Sequence, residues 1–112
     1  MTPDQRDIVL IPVPFSDLSS AKRRPVLVLS NDRHNRRSED VVVAAITSQL
    51  ARRDYGVLIF SDDLQSGRLA HDSLIRADKL YTLHKDAIIK RFGRLKAEPF
   101  RKVLQQIASL FA

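Results

Sequence analysis

The sequence predicts a mainly β chain that forms a small closed or half-open antiparallel barrel, with a helix packed on it at the C-terminal end. Short β-branched apolar runs recur through the first two thirds, separated by brief polar loops. The period then changes. Phe100, Val103, Leu104, Ile107, Leu110 and Phe111 fall at helical spacing. Strands first and helices last fit one sheet-derived layer covered by a terminal helix.

Asp7–Val13 reads as strand one, and Pro12 and Pro14 suggest that its end leaves the sheet or lies at an edge. Residues 15–24 read as a loop and 25–30 as strand two. Residues 31–40, polar and basic, are a loop or a short helical turn. Residues 41–46 are strand three, apolar on both faces, and 47–54 a loop. Residues 55–60 are strand four, followed by a turn-rich stretch, 61–72, that contains Ser66-Gly67. Residues 73–76 are a short strand five and 79–83 a sixth. Residues 85–92 are compatible with a short helix stopped by Gly93 at the C′ position. Pro99 fits the first turn of the final helix. There is no internal repeat or linker, so residues 1–112 are expected to form a single domain.

The chain carries 19 Lys and Arg against 13 Asp and Glu, a net charge of +6. Thirteen of the basic residues are arginines, which suits planar, bidentate phosphate recognition better than a diffuse lysine field. The cations are clustered at 22–24, 33–37, 52–53 and 90–96, which favours a polyanionic partner over mere solubility. There is no cysteine, hence no disulfide or thiolate metal site. No apolar run has the length of a membrane span, and Met1 to Asp7 shows no signal-peptide core, so a cytoplasmic location is expected.

The most informative stretch is Lys22-Arg23-Arg24-Pro25, set directly before Val26-Leu27-Val28-Leu29. Proline fixes its own φ and biases Arg24 to extended geometry, which aims a guanidinium from the mouth of a rigid strand. Thr47 follows strand three, where a hydroxyl either donates to a phosphate or caps the strand-end turn. Arg76-Ala77-Asp78 places a cation and a carboxylate on one face if extended. A plain surface ion pair explains that spacing equally well. His34, His71 and His84 are isolated, and Asp62-Asp63 reads as a turn, so a metal mechanism has no support. With three glycines, the chain has no Gly-x-Ser-x-Gly, P-loop or Gly-x-Gly-x-x-Gly motif.

Taken in order, these segments resemble the MazF/PemK/Kid family of toxin endoribonucleases. Asp7-Ile8-Val9-Leu10 resembles the family's opening strand, with Arg6 where glycine is usual. Pro14-Phe15-Ser16-Asp17-Leu18, Arg24-Pro25-Val26-Leu27-Val28-Leu29-Ser30-Asn31-Asp32 and Ile46-Thr47-Ser48 resemble the segments that follow. Ser73-Leu74-Ile75-Arg76-Ala77-Asp78-Lys79-Leu80 with Thr82, then Gly93-Arg94-Leu95 and the last helix, complete the set.

The resemblance implies an SH3-like or CcdB-like barrel with a C-terminal helix, working as a homodimer without a cofactor. It implies metal-independent cleavage of single-stranded RNA by attack of a ribose 2′-OH, leaving 2′,3′-cyclic phosphate and 5′-OH ends. It also implies an acidic, partly disordered antitoxin as partner. By the same resemblance Arg24 and Thr47 are catalytic, and Arg76 with Asp78 supplies acid and base. Of these, Asp78 is the easier proton acceptor, since a guanidinium holds its proton above about pH 12.

RNA contacts are expected at Phe15, Ser16, Asp17, Lys22, Arg23, Ser48 and Gln49. The first loop lacks the Gly-His-Glu-Gln element of longer members, so Lys22 or Arg23 is expected to take over its phosphate contact. Phe15 and Tyr55 are the aromatics flanking the specificity loops, which predicts mostly polar base readout. Two other classes fit the composition: a non-enzymatic CcdB-like barrel that poisons a protein such as DNA gyrase, and an inactive nucleic-acid-binding barrel.

Overall fold

The computed structural model describes residues 1–13, 22–51 and 53–112. In chain order these form β1 (Asp7–Val13), β2 (Lys22–Val28), α1 (Asp32–Arg37), β3 (Asp40–Thr47), β4 (Gly56–Ile59), β5 (Leu64–Gly67), β6 (Ser73–His84), β7 (Lys90–Leu95) and α2 (Ala97–Leu110). Single 3₁₀ turns, Ser61–Asp63 and Lys85–Ala87, precede β5 and β7.

All strand pairs are antiparallel, in the order β4-β6-β3-β2-β1-β7-β5. The sheet curls around one core, with β4 and β5 as its edges. Ile8, Leu27, Ile46, Ile59, Ile75 and Leu95 face that core, and Phe100 and Val103 of α2 close it. The other face of the central strands carries a second apolar cluster, Val9, Ile11, Val26, Val28, Val41 and Val43, packed by Tyr81, Leu83 and Ile88. Strand three is thus apolar on both faces because both faces are covered.

Four expectations are corrected. Strand two begins at Lys22, because Arg24, Arg23 and Lys22 continue the ladder opposite Ile11, Pro12 and Val13. A basic strand end gives no hydrophobic signal. Strands five and six are one strand, β6, interrupted by a bulge. Ala45 pairs with Arg76 and Ala44 with Leu80, so residues 77–79 are looped out of the ladder. The stretch 61–72 contains the short polar strand β5. The helix expected over 85–92 is a single 3₁₀ turn followed by β7, with Gly93 inside the strand. Gly93 is needed there because a Cβ would lie 2.9 Å from the Ser66 carbonyl oxygen of β5.

The prolines are placed by their missing N–H. Pro12 lies beyond the β1 residues that pair with β7, and Pro25 beyond the β2 residues that pair with β3. In α2, Phe100 and Val103 are buried and Ile107 packs on the core, while Leu104 and Phe111 of the same stripe face solvent. Pro99 lies in the first turn, as its sequence position predicts.

Buried Asp7 fastens β1 to β7. Its carboxylate accepts from Arg94 Nε at 3.0 Å and from the Asp4 N–H at 2.8 Å, and pairs with Arg91 Nε at 2.9 Å. Arg6, at φ 76°, occupies the position where glycine is usual in the resembled family. It donates to the Leu95 carbonyl and to Gln65. These bonds offset the cost of a left-handed backbone at a residue with a Cβ.

Candidate active site

Sheet register decides which side chains meet. Val26 of β2 lies opposite Ala45 of β3, so the same register carried two residues on sets Arg24 opposite Thr47. Ala45 in turn lies opposite Arg76 of β6. Cross-strand partners share a face, and so do residues two apart. Arg24, Thr47 and Arg76 therefore belong to one face of three neighbouring strands.

That face borders a groove of about 500 Å³, whose walls include Arg24, Thr47, Arg53, Arg76, Lys79 and Tyr81. Among the described residues, none that lines it is acidic. Its floor is the apolar second face, with Ile11 and Val26. The groove is thus cationic at the rim and greasy below, the character of a surface that takes a sugar–phosphate strand and its bases.

Each group is held differently. Arg24 is exposed, paired with Ile11 of β1 but two residues beyond the last β2 residue that pairs with β3, with Pro25 between. Thr47 is half-buried, and its Oγ1 accepts from the Gln49 N–H at 3.1 Å. This is the strand-end turn that the sequence offered as one reading of Thr47. It uses an oxygen lone pair and leaves the hydroxyl proton to be donated. Arg76 and Asp78 form a forked pair, Nε to Oδ1 at 3.2 Å and Nη2 to Oδ2 at 3.0 Å. The two-residue spacing survives because the bulge begins just after Arg76, and the Ala77 N–H is tied to the Tyr55 carbonyl at 3.0 Å.

The fork has an electrostatic consequence. The bond from Arg76 holds the Asp78 carboxyl below its ordinary range, with Arg53 adding to the effect. The same bond raises Arg76. Asp78 is a fixed anion with both oxygens engaged, and it is not part of the groove wall. Arg76 is part of that wall.

Of the other expected contact residues, Ser48 and Gln49 line the same groove. Arg23 lies on the far side of Arg24, along a second groove. Lys22 is the first residue of β2, opposite Val13. Phe15, Ser16 and Asp17 lie outside the described residues. Sequence reasoning missed Arg53, Lys79 and Tyr81. Arg53 belonged to a noted basic cluster, but nothing in a loop's sequence says which way it folds. Lys79 lies in the segment that resembles the family, with no role implied for it, and Tyr81 sat in a stretch read only as a strand.

Comparison with known proteins gives the family and the fold. Residues 4–111 match the family described as PemK-like, MazF-like toxin of type II toxin-antitoxin system. The chain belongs to this family. Among curated relatives, the MazF-like chain is 34% identical over 91 residues to Endoribonuclease MazF6 of Mycobacterium tuberculosis, covering 80% of this chain and 79% of the relative. It is also 34% identical over 80 residues to Endoribonuclease EndoA of Bacillus subtilis, covering 71% and 68%. A solved mycobacterial structure titled as an endoribonuclease in complex with its cognate antitoxin superposes with a TM-score of 0.73 at 21% identity, covering 97% of this chain and 94% of that one. The barrel with its terminal helix is thus the fold of MazF-like toxins.

Proposed function

We propose that this MazF-like chain is the toxin of a toxin–antitoxin pair and cuts single-stranded RNA by an internal phosphate transfer that needs no metal. The observation that carries the reading is the convergence of Arg24, Thr47 and Arg76 on the rim of one groove that no acidic side chain lines among the described residues. The names of the curated relatives, both endoribonucleases, support it.

In this reaction the ribose 2′-oxygen bonds to phosphorus and the bond from phosphorus to the 5′-oxygen breaks. The 2′-oxygen loses a proton and the leaving 5′-oxygen gains one, so water is not consumed. Negative charge grows on the non-bridging oxygens in the transition state. A guanidinium and a hydroxyl fixed beside them stabilise that charge more than they stabilise the ground state. Arg24 and Thr47 take these roles, and Arg76 adds a second cation. Arginine as base is chemically awkward, since its proton leaves only above about pH 12. Asp78, depressed by its fork to Arg76, is a weaker base than an ordinary carboxylate. We assign Asp78 to aiming Arg76, in place of the acid–base role that the family resemblance implies.

The +6 charge fits an acidic antitoxin that covers the same cations. A homodimer acting on messenger RNA in the cytoplasm completes the proposal.

The test is incubation of the purified protein with a defined single-stranded RNA in EDTA. Products carrying 2′,3′-cyclic phosphate, and their loss in Arg24→Ala, are expected. If the wild type cuts no RNA, the reading fails, and a poison of a protein target such as gyrase takes its place.

A further inference from the structure

The ridge formed by Arg24, Thr47 and Ser48 has a groove on each side. The second, of about 620 Å³, shares these three residues and also Pro25 and Ile46 with the first, and then runs the other way, toward β1, β7 and the segment between β5 and β6. Its size falls within the range of about 300–1,000 Å³ usual for ligand sites. Resting on the RNA-cleavage reading, the geometry points to this groove as a second nucleotide subsite, which takes the strand on the opposite side of the cut phosphate.

Three observations carry this. The first is charge. Arg23, Arg68, His71 and Lys90 line the groove together with the shared Arg24, and among the described residues no lining residue is acidic. Among the described residues, none of Arg23, Arg68 and Lys90 is engaged in an ion pair. By contrast, Arg91 and Arg94 on the same strand as Lys90 are both committed to Asp7. The strand thus separates cations used to hold the fold from one left on the groove.

The second is an aromatic surface. Phe92 is half-buried, packed on the core by one part and lining the groove with the rest. A ring fixed in that way offers a base a stacking platform that costs little ordering. The third is how the wall is built. Gly67, at φ 85°, approaches β7 so closely that a Cβ there would sit 2.2 Å from the Phe92 carbonyl oxygen. This close approach brings Arg68, the next residue, to the same groove as Phe92. A cation beside a fixed ring is what binds one nucleotide by phosphate and base at once.

A single-stranded RNA crossing the ridge would place the cut phosphate at Arg24 and Thr47. The neighbouring nucleotides would fall into the two grooves. The experiment uses the full chain in EDTA with an oligoribonucleotide containing a mapped cut site, and two versions trimmed close to the cut on the 5′ or the 3′ side.

Phe92→Leu, which keeps an apolar side chain in the core, is expected to raise KM about tenfold on the long substrate, with kcat within about twofold. On the version trimmed on the side that occupies the groove, the variant should equal the wild type. Arg68→Ala and Lys90→Ala should each lower the slope of log KM against log salt by about 0.7. Unchanged KM and slope for all three variants, with the wild type still cutting, would overturn the subsite. A wild type that cuts no RNA would overturn instead the reading on which it rests.

Discussion

Asp78→Asn separates two chemistries that the Arg-x-Asp spacing permits. If Asp78 were the general base, its loss would remove on the order of 10²–10⁴ from the rate. If it only aims Arg76, the loss is the slackening of a forked ion pair whose side chains are 22% and 29% exposed. Pairs that accessible to water are worth at most about 1 kcal/mol. That corresponds to about a fivefold fall in kcat/KM. Asparagine keeps one carbonyl oxygen to accept from Arg76, so the fall should not exceed this. The readout is cleavage of a fluorogenic oligoribonucleotide in EDTA by wild type, Asp78→Asn, Arg76→Ala and the double variant.

A residue that acts through Arg76 has nothing to act on once Arg76 is gone. Asp78→Asn is therefore expected to have no further effect in the Arg76→Ala background. The pH profile adds an independent check. Asp78 has its carboxyl lowered, so the pair's contribution is complete above the ordinary aspartate value of about 3.9 and is lost only as pH falls through the lower folded value. The profile between about pH 5 and 8 should keep its shape in Asp78→Asn. A fall of more than a hundredfold that persists in the Arg76→Ala background would refute the aiming role and restore Asp78 as the base.

Thr47→Val removes the hydroxyl at constant shape and should lower kcat by about 10²-fold with little change in KM, as for a donor used in the transition state; steady-state kinetics decide. Asp7→Asn should destabilise the fold by about 3 kcal/mol, near the lower end for breaking a buried pair, because Arg91 and Arg94 are 42% and 25% exposed and can turn to water. In thermal melts this appears as a fall in Tm on the order of 10 °C. Gly67→Ala meets both a φ of 85° and the Phe92 carbonyl, so a loss of about 2–4 kcal/mol is expected in urea unfolding.

Where apolar pattern and structure coincide, the sequence was sufficient. β1 has the bounds expected from its β-branched run, and the final helix follows from the spacing of Phe100, Val103 and Ile107. The failures share a cause. Lys22 to Arg24, Gln65 to Gly67 and Lys90-Arg91 are strand residues with little apolar alternation, and ladders to neighbouring strands define them. Periodicity reports burial, and a strand end that borders an open groove has no burial to report. The same holds for the site. Arg24 was legible through Pro25, which constrains it locally. Arg53, Lys79 and Tyr81 were not, since only the curl of the sheet brings them to the groove. The stretch 85–92 shows the opposite error: an apolar spacing too short to tell a helical turn from the start of a strand.

The placement of the cations follows from the strands that carry them. Arg24 stands on β2 just beyond the residues that pair with β3, Thr47 is the last residue of β3, and Arg76 is the last paired residue before a bulge. At each point one ladder stops or is interrupted while remaining pairs still hold the backbone: Arg24 with Ile11, Thr47 with Leu74, and Arg76 with Ala45 and Gly56. A side chain there is exposed to a ligand while its Cα is fixed by neighbours, which is what preorganised charge stabilisation requires. A loop cation of equal charge would pay ordering entropy on binding, and part of its interaction would be lost to that cost. The one-residue register shift that would move Arg24 to the other face would also turn Val26 and Val28 out of their cluster. The apolar packing of β2 therefore fixes not only the fold but the side on which the Arg24 guanidinium stands.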